Sequence, residues 1–258
     1  MDNGINSRNC KNCGHLVSED YCGKCGQSIH LGRINWHYLL HEFQHSVLHV
    51  DKGIFYTIRE LLFRPKVTIE DYLDGKRMNH FKPFAFVIIL GTIYGFISYY
   101  LGYYIEPEFT SYITQDKVAA DIVKETSRET MDWVHSHYSL TMLVFLPFSA
   151  LASYFVFRNK GYNYFEHLII YAYITGIQIF LLLILYPVLY FLNTDVVYTV
   201  TFVIIYAYNI FVIAILFKKN SWAGVISKAV VSIALAFVIL VIVSSIIILC
   251  LMIKSTNF

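Results

Sequence analysis

Five long apolar runs constrain the fold of this chain more than any other feature of its sequence. They cover residues 84–104, 139–157, 165–192, 196–217 and 229–253. Each run is close to the roughly 20 residues that an α-helix needs to cross a bilayer, and a helix satisfies its own backbone hydrogen bonds in lipid. Hydrophobic residues make up 57% of the chain, too large a share to bury in one soluble core. The sequence therefore predicts an α-helical integral membrane protein with about five transmembrane helices.

Lysine and arginine are unevenly distributed among the segments that connect these runs. They are frequent before the first run and in the second and fourth connections, whereas the connection at 105–138 has more acidic than basic residues. Positive residues favour the cytoplasmic side of a membrane. We therefore expect a multi-pass protein of the inner (plasma) membrane, with its N-terminus in the cytoplasm, the 105–138 connection outside and its C-terminus outside.

Four of the five cysteines form two Cys-x-x-Cys-Gly motifs near the N-terminus. Cys10 and Cys13 belong to the first motif, and Cys22 and Cys25 to the second. Four thiolates in two close pairs suit a tetrahedral zinc ion, and a segment this short needs metal to supply its folding energy. Two disulfides are the alternative, which a cytoplasmic location disfavours. We therefore predict a zinc ribbon with one structural Zn²⁺ per chain.

A closed four-cysteine site has no open position for a water molecule, so the predicted ribbon is not itself a catalytic centre. Ribbons of this size bind protein or nucleic acid. The flanking sequence lacks the stripe of basic and aromatic residues that would favour nucleic acid. We expect a cytoplasmic protein partner for the ribbon, and membrane lipids around the apolar runs.

A row of histidines follows the cysteine motifs. His37, His41, His45 and His49 recur at every fourth position, opposite an apolar face that includes Trp36. This spacing predicts an amphipathic helix with histidines along one side. The histidine face is a candidate for a second metal site or for pH sensing, because histidine titrates near neutral pH. A polar face without either role is the alternative.

Residues 41–45 read HEFQH, a pattern with which zinc peptidases hold their metal. In such an enzyme His41 and His45 would bind zinc and Glu42 would activate water. A third ligand is not identifiable in the sequence, and His49 lies too far along a straight helix to share one ion with both other histidines. We therefore predict no catalytic residue, with a membrane metallopeptidase as an alternative.

The segment before the first apolar run contains further short amphipathic helices. The pattern predicts a helix over 53–63 that Pro65 ends. Thr68 and Asp71 then have the spacing of a capping box for another helix, which Gly75 would terminate.

Basic residues lie between this segment and the first apolar run. Lys76, Arg77 and Lys82 are placed to contact anionic lipid headgroups. Ordinary positive-inside anchoring without specific lipid contact is the alternative.

These motifs together resemble an uncharacterised bacterial family of zinc-ribbon integral membrane proteins, classed as a domain of unknown function. The resemblance rests on the two cysteine motifs and on a series of residues downstream of them: Asp51, Gly53, Thr57, Leu61, Pro65, Tyr72, Leu73, Gly75, Lys76, Arg77 and Pro83. It implies a zinc-ribbon head on a multispan membrane domain, and it implies no activity.

The apolar runs contain no deeply placed charged residue, which argues against proton relays and ion-coupled transport. Gln178 and Asn209 are the notable polar residues inside them, and interhelical hydrogen bonding is the favoured role for both. Gly91 and Gly95 have the spacing of a close helix contact.

The sequence divides into three predicted parts: a zinc ribbon at 1–30, amphipathic juxtamembrane helices at 31–83 and a transmembrane helical domain at 84–258. The favoured function is that of a non-enzymatic inner-membrane protein whose cytoplasmic ribbon binds or senses a partner. A transporter or channel component is the first alternative, ahead of the metallopeptidase.

Overall fold

The computed structural model describes residues 8–40, 53–101, 117–218 and 221–256, with the backbone alone for 117–124, 127 and 247–256. Its strands and helices, in chain order, are β1 Arg8–Asn9, β2 Leu16–Val17, α1 Gly53–Phe63, α2 Pro65–Asp74, α3 Pro83–Leu101, α4 Lys117–Ser136, α5 Tyr138–Phe157 with a 3-10 turn at Arg158–Lys160, α6 Tyr164–Leu192, α7 Asp195–Phe217 and α8 Trp222–Thr256.

Five of these helices, α3, α5, α6, α7 and α8, are long and apolar enough to cross a membrane. They coincide with the five predicted runs, so the predicted fold class is confirmed. Helix α6 contacts α3, α5 and α7, and the last helix, α8, contacts α5 and α7. At 29 residues, α6 is about 43 Å long. Its first turns can therefore lie outside the roughly 30 Å hydrocarbon layer.

Glycines allow three of the membrane helices to approach closely. A methyl group added at Gly91 of α3 would lie 2.8 Å from the Cα of Ser139 in α5. One added at Gly95 would lie 3.0 Å from the carbonyl oxygen of His135. The close contact predicted for this glycine pair is confirmed. A third glycine, Gly176 of α6, faces the ring of Phe86 in α3, where an added methyl carbon would be 2.1 Å away.

The two juxtamembrane helices, α1 and α2, both contact α6, and α2 also contacts α7. Their ends were predicted only in part. Helix α1 ends at Phe63 as predicted, and Gly75, with a φ of 102°, terminates α2 through its N–H bond to the carbonyl of Tyr72. The predicted capping box was wrong, because Pro65 already occupies the first turn of α2. Thr68 lies inside that helix, where its hydroxyl donates to the carbonyl of Arg64 at 3.0 Å.

Candidate metal centre and its attachment to the membrane domain

The two cysteine motifs fold into turns with the same hydrogen-bond pattern. In the first turn the N–H of Cys10 donates to the carbonyl of His15, and the N–H of Gly14 donates back to the carbonyl of Cys10, both at 2.8 Å. Cys22 makes the equivalent bonds in the second turn, where Gly26 is the donor at 2.7 Å. Both glycines have positive φ angles, 72° and 76°, a conformation that residues with side chains rarely adopt.

Short stretches of antiparallel pairing hold each turn closed. Strand β1 pairs with β2 on either side of the first turn, and Tyr21 pairs with Ser28 on either side of the second. The turns face each other, so that the sequence-distant cysteines become neighbours.

The four sulfur atoms form a cluster with the dimensions of a metal site. The Sγ atoms of Cys10 and Cys25 are 3.6 Å apart, and those of Cys13 and Cys22 are 3.5 Å apart. All four lie within 4.8 Å of one another. A tetrahedral ion with metal–sulfur bonds of about 2.3 Å sets its sulfurs about 3.8 Å apart. The cysteines are free thiols, so the disulfide alternative does not describe this arrangement.

The surroundings of Cys22 favour the thiolate that a metal requires. Burial of this side chain opposes ionisation, but hydrogen bonds from the backbone amides of Cys25 and Lys24 to its sulfur lower the pKa of Cys22 to about 7. At the adjacent Cys13 the amide of His15 lowers the pKa, but burial and hydrogen bonds with the other thiols raise it to about 11, so the first proton leaves from Cys22. Metal binding needs deprotonated thiols. The described residues contain this one cluster of three or more histidine, cysteine or acidic side chains able to hold a metal ion.

One attachment joins the ribbon to the juxtamembrane segment through Arg77. Its backbone N–H donates to the buried side-chain oxygen of Gln27 at 3.0 Å, just after the second cysteine turn. Its guanidinium lies 4.2 Å from the ring centre of Tyr38 and 5.3 Å from that of Tyr72. The two tyrosine hydroxyls are 2.7 Å apart. Cation–π contacts therefore fix the end of α2 against the segment that follows the ribbon.

The second attachment is an ion pair between Arg33 and Glu166. Two guanidinium nitrogens of Arg33 donate to the two carboxylate oxygens at 2.7 Å each. Glu166 also closes a capping box with Asn163 at the start of α6. The side-chain amide of Asn163 donates in turn to the carbonyl of Ile34 at 3.0 Å, and Ile34 is fully buried. These contacts join the segment after the ribbon to the first turn of α6.

Glu166 lies near the start of the third apolar run, where nothing in the sequence identifies its partner. Arg33 lies 133 residues away in the chain and belongs to no recognisable motif. The spacing Asn163-x-x-Glu166 is that of a capping box, which predicts a helix start but does not indicate which base pairs with Glu166.

The other predicted site residues have separate environments. Lys76 pairs with Asp71 at 2.6 Å, and this hydrogen bond and charge raise the lysine pKa. Lipid contact by Lys76, Arg77 and Lys82 stays a prediction. His37 is exposed in the first turn of a helix that begins at residue 36. The described residues do not include Glu42 or the other three histidines of the row, His41, His45 and His49.

Residues 51–95 match the model of a family described as "Protein of unknown function (DUF3667)". The match contains α1, α2 and most of α3, together with the downstream residues on which the family resemblance rests. The four cysteines precede the matched stretch. No curated protein and no solved structure matches the chain.

Proposed function

We propose that this chain is a non-enzymatic protein of the inner membrane whose ribbon holds one structural zinc ion and binds or senses a cytoplasmic protein. The observation that carries the proposal is the closed four-sulfur cluster, docked on a membrane-spanning helix through the pair of Arg33 and Glu166. Four cysteine ligands favour Zn²⁺ and complete its coordination, which leaves no position for a reacting water.

The exposed side of the ribbon supports a protein partner. Leu16 is 61% exposed and Tyr21 is 65% exposed, whereas Gln27 is buried and accepts a hydrogen bond from Arg77. These exposed apolar and aromatic side chains are the ones that we propose contact the partner. A change in the ribbon would reach α6 through the same docking contacts, which gives the proposed sensing a physical route.

Metal analysis of the purified protein tests the zinc site. The wild type is expected to carry about one zinc per chain, and the double variant Cys22→Ser, Cys25→Ser is expected to lose it. Cys250→Ser is the matched control, since it removes the cysteine outside the two motifs and should keep the zinc. A wild type without zinc, or a double variant with full zinc, would overturn the assignment.

Partner binding is tested by replacing the exposed residues instead of the ligands. Leu16→Ser with Tyr21→Ser should keep the zinc but lose a cross-linked complex that the wild type forms in cells. An unchanged complex would exclude this surface as the contact. The metallopeptidase alternative has its own test. We expect Glu42→Gln to leave the cellular phenotype unchanged, and cleavage of a membrane substrate that this variant abolishes would favour the metallopeptidase.

A further inference from the structure

A cavity of about 660 Å³ lies within the membrane-spanning helices, remote from the ribbon. Its rim includes side chains that are exposed on the outer surface of the bundle: Val144 and Phe145 of α5, Phe202 of α7, and Phe237 and Val241 of α8. In a membrane this surface faces lipid. The cavity is therefore open to molecules dissolved in the hydrocarbon layer.

Polar groups from several helices converge on this apolar cavity. Gln178 of α6 and Asn209 of α7 both line it, each near the middle of its helix and therefore deep in the membrane. The amide of Gln178 donates to the carbonyl of Ile205 at 3.3 Å, which links α6 to α7 as predicted for interhelical hydrogen bonding. An apolar cleft with a few converging polar groups is the common form of a small-molecule site.

Asn209 is the group that this arrangement leaves unsatisfied. Its side chain is 6% exposed, and its Oδ1 atom is buried without a hydrogen-bond partner among the described residues. A polar group in an apolar environment is costly unless it is hydrogen-bonded. Phospholipid headgroups cannot supply the bond, because they lie at the interface, about 15 Å from the bilayer centre.

We infer that the cavity is a binding site for a long-chain or isoprenoid alcohol whose hydroxyl group bonds to Asn209. The O–H of an alcohol can donate to the Oδ1 of Asn209, which accepts no hydrogen bond from the described residues. A volume of about 660 Å³ lies within the range of sites that hold small organic ligands. The apolar lining then surrounds the chain.

Photo-cross-linking in lipid nanodiscs tests the site. The probe is a diazirine analogue of geranylgeraniol, and cross-linked peptides are identified by mass spectrometry. We expect saturable labelling of α5 and α8 around the cavity, competed by unlabelled geranylgeraniol and not by its acetate ester, which lacks the donor. Competition by the ester with equal potency would overturn the proposal, because it would show an apolar pocket that does not recognise the hydroxyl.

One variant and one control test whether the amide of Asn209 recognises the hydroxyl group of the alcohol. Asn209→Leu keeps the side-chain size and should raise the half-saturating probe concentration about five- to tenfold, as expected for one lost hydrogen bond. Thr201→Val is the control, since Thr201 is also buried in α7 but bonds to Val197 within its own helix. Unchanged half-saturation in Asn209→Leu would refute the role of the amide.

A cavity-filling variant tests the binding site independently of whether the asparagine variant folds. Ala236 of α8 lines the cavity and is buried. Ala236→Phe should abolish the labelling while the zinc content of the ribbon stays at the wild-type level. Full saturable labelling in this variant would place the bound alcohol elsewhere and would overturn the proposal.

Discussion

Replacement of Arg33 by methionine is expected to release the ribbon from the membrane domain. Methionine keeps an apolar stem but removes the two 2.7 Å hydrogen bonds to Glu166. The side chain of Glu166 is 7% exposed, and its carboxylate keeps the bond from the backbone N–H of Asn163 at 2.7 Å. A buried carboxylate without its cation is unfavourable, and undocking relieves it by exposing Glu166 to water.

The exposed fractions of Arg33 and Glu166 determine how much docking free energy the substitution removes. Loss of one partner from a fully buried pair costs about 3–5 kcal/mol, and an exposed pair contributes about 1 kcal/mol or less. Arg33 is 60% exposed and Glu166 is 7% exposed, so the pair lies between these limits and we expect a loss of about 2 kcal/mol. A difference of 1.4 kcal/mol is about tenfold in an equilibrium constant, so the undocked fraction should rise about 30-fold.

Hydrogen exchange of residues 27–40, followed by mass spectrometry in nanodiscs, measures that fraction. Exchange in this segment should be about 30-fold faster in Arg33→Met, while the zinc content stays unchanged. Arg64→Met is a matched control, because Arg64 is 61% exposed and pairs with Glu60, which is 9% exposed, away from the ribbon. Equal exchange of residues 27–40 in Arg33→Met and the wild type would refute docking through the ion pair.

Three further outcomes follow from the packing, the buried titratable groups and the charge distribution. Gly176→Ala should lower the free energy of unfolding in detergent by about 1–3 kcal/mol through its clash with Phe86, and adding Phe86→Leu should recover part of the loss. Burial lowers the pKa of His80 in the folded protein. Because the unfolded state then binds the proton more readily, thermal stability should fall as the pH drops below about 6.5. The fall should be less steep in His80→Gln. A membrane-impermeant thiol reagent should label Glu125→Cys in intact cells but not Asn159→Cys, and the reverse pattern would invert the predicted topology.

Hydropathy was sufficient to predict the membrane helices because lipid imposes one requirement on every residue of a span. The largest difference lies in the last helix, which begins at Trp222 instead of residue 229. The intervening turn contains Lys228, which interrupts an apolar run but not a helix. The cysteine cluster was predictable for a similar reason, since spacing alone brings each pair of ligands together.

Other features of the structure were not predictable from local sequence patterns, chiefly those that depend on contacts between residues distant in the chain. The pairing of Arg33 with Glu166 has no local signature, because either residue could have met solvent instead. The Thr68 spacing predicts too late a start for α2, because Pro65, whose fixed φ suits the first turn of a helix, already begins it. Helix α4, Lys117–Ser136, lies within the 105–138 connection, whose charge predicts a side of the membrane but not a helix.

The order of the docking contacts along the chain bears on how the protein is assembled during synthesis. The contacts described for the ribbon come from the end of α2 and the first turn of α6, up to Glu166. Among the described residues, α8 is the span least covered by its neighbours, with 11% of its most apolar stretch buried. These described docking contacts can therefore form while α7 and α8 are still being translated. A ribosome-stalled chain that ends after α6 would already contain these contacts of the described residues, whereas the hydrogen bond from Tyr208 of α7 to the carbonyl of Leu61 in α1 would still be missing.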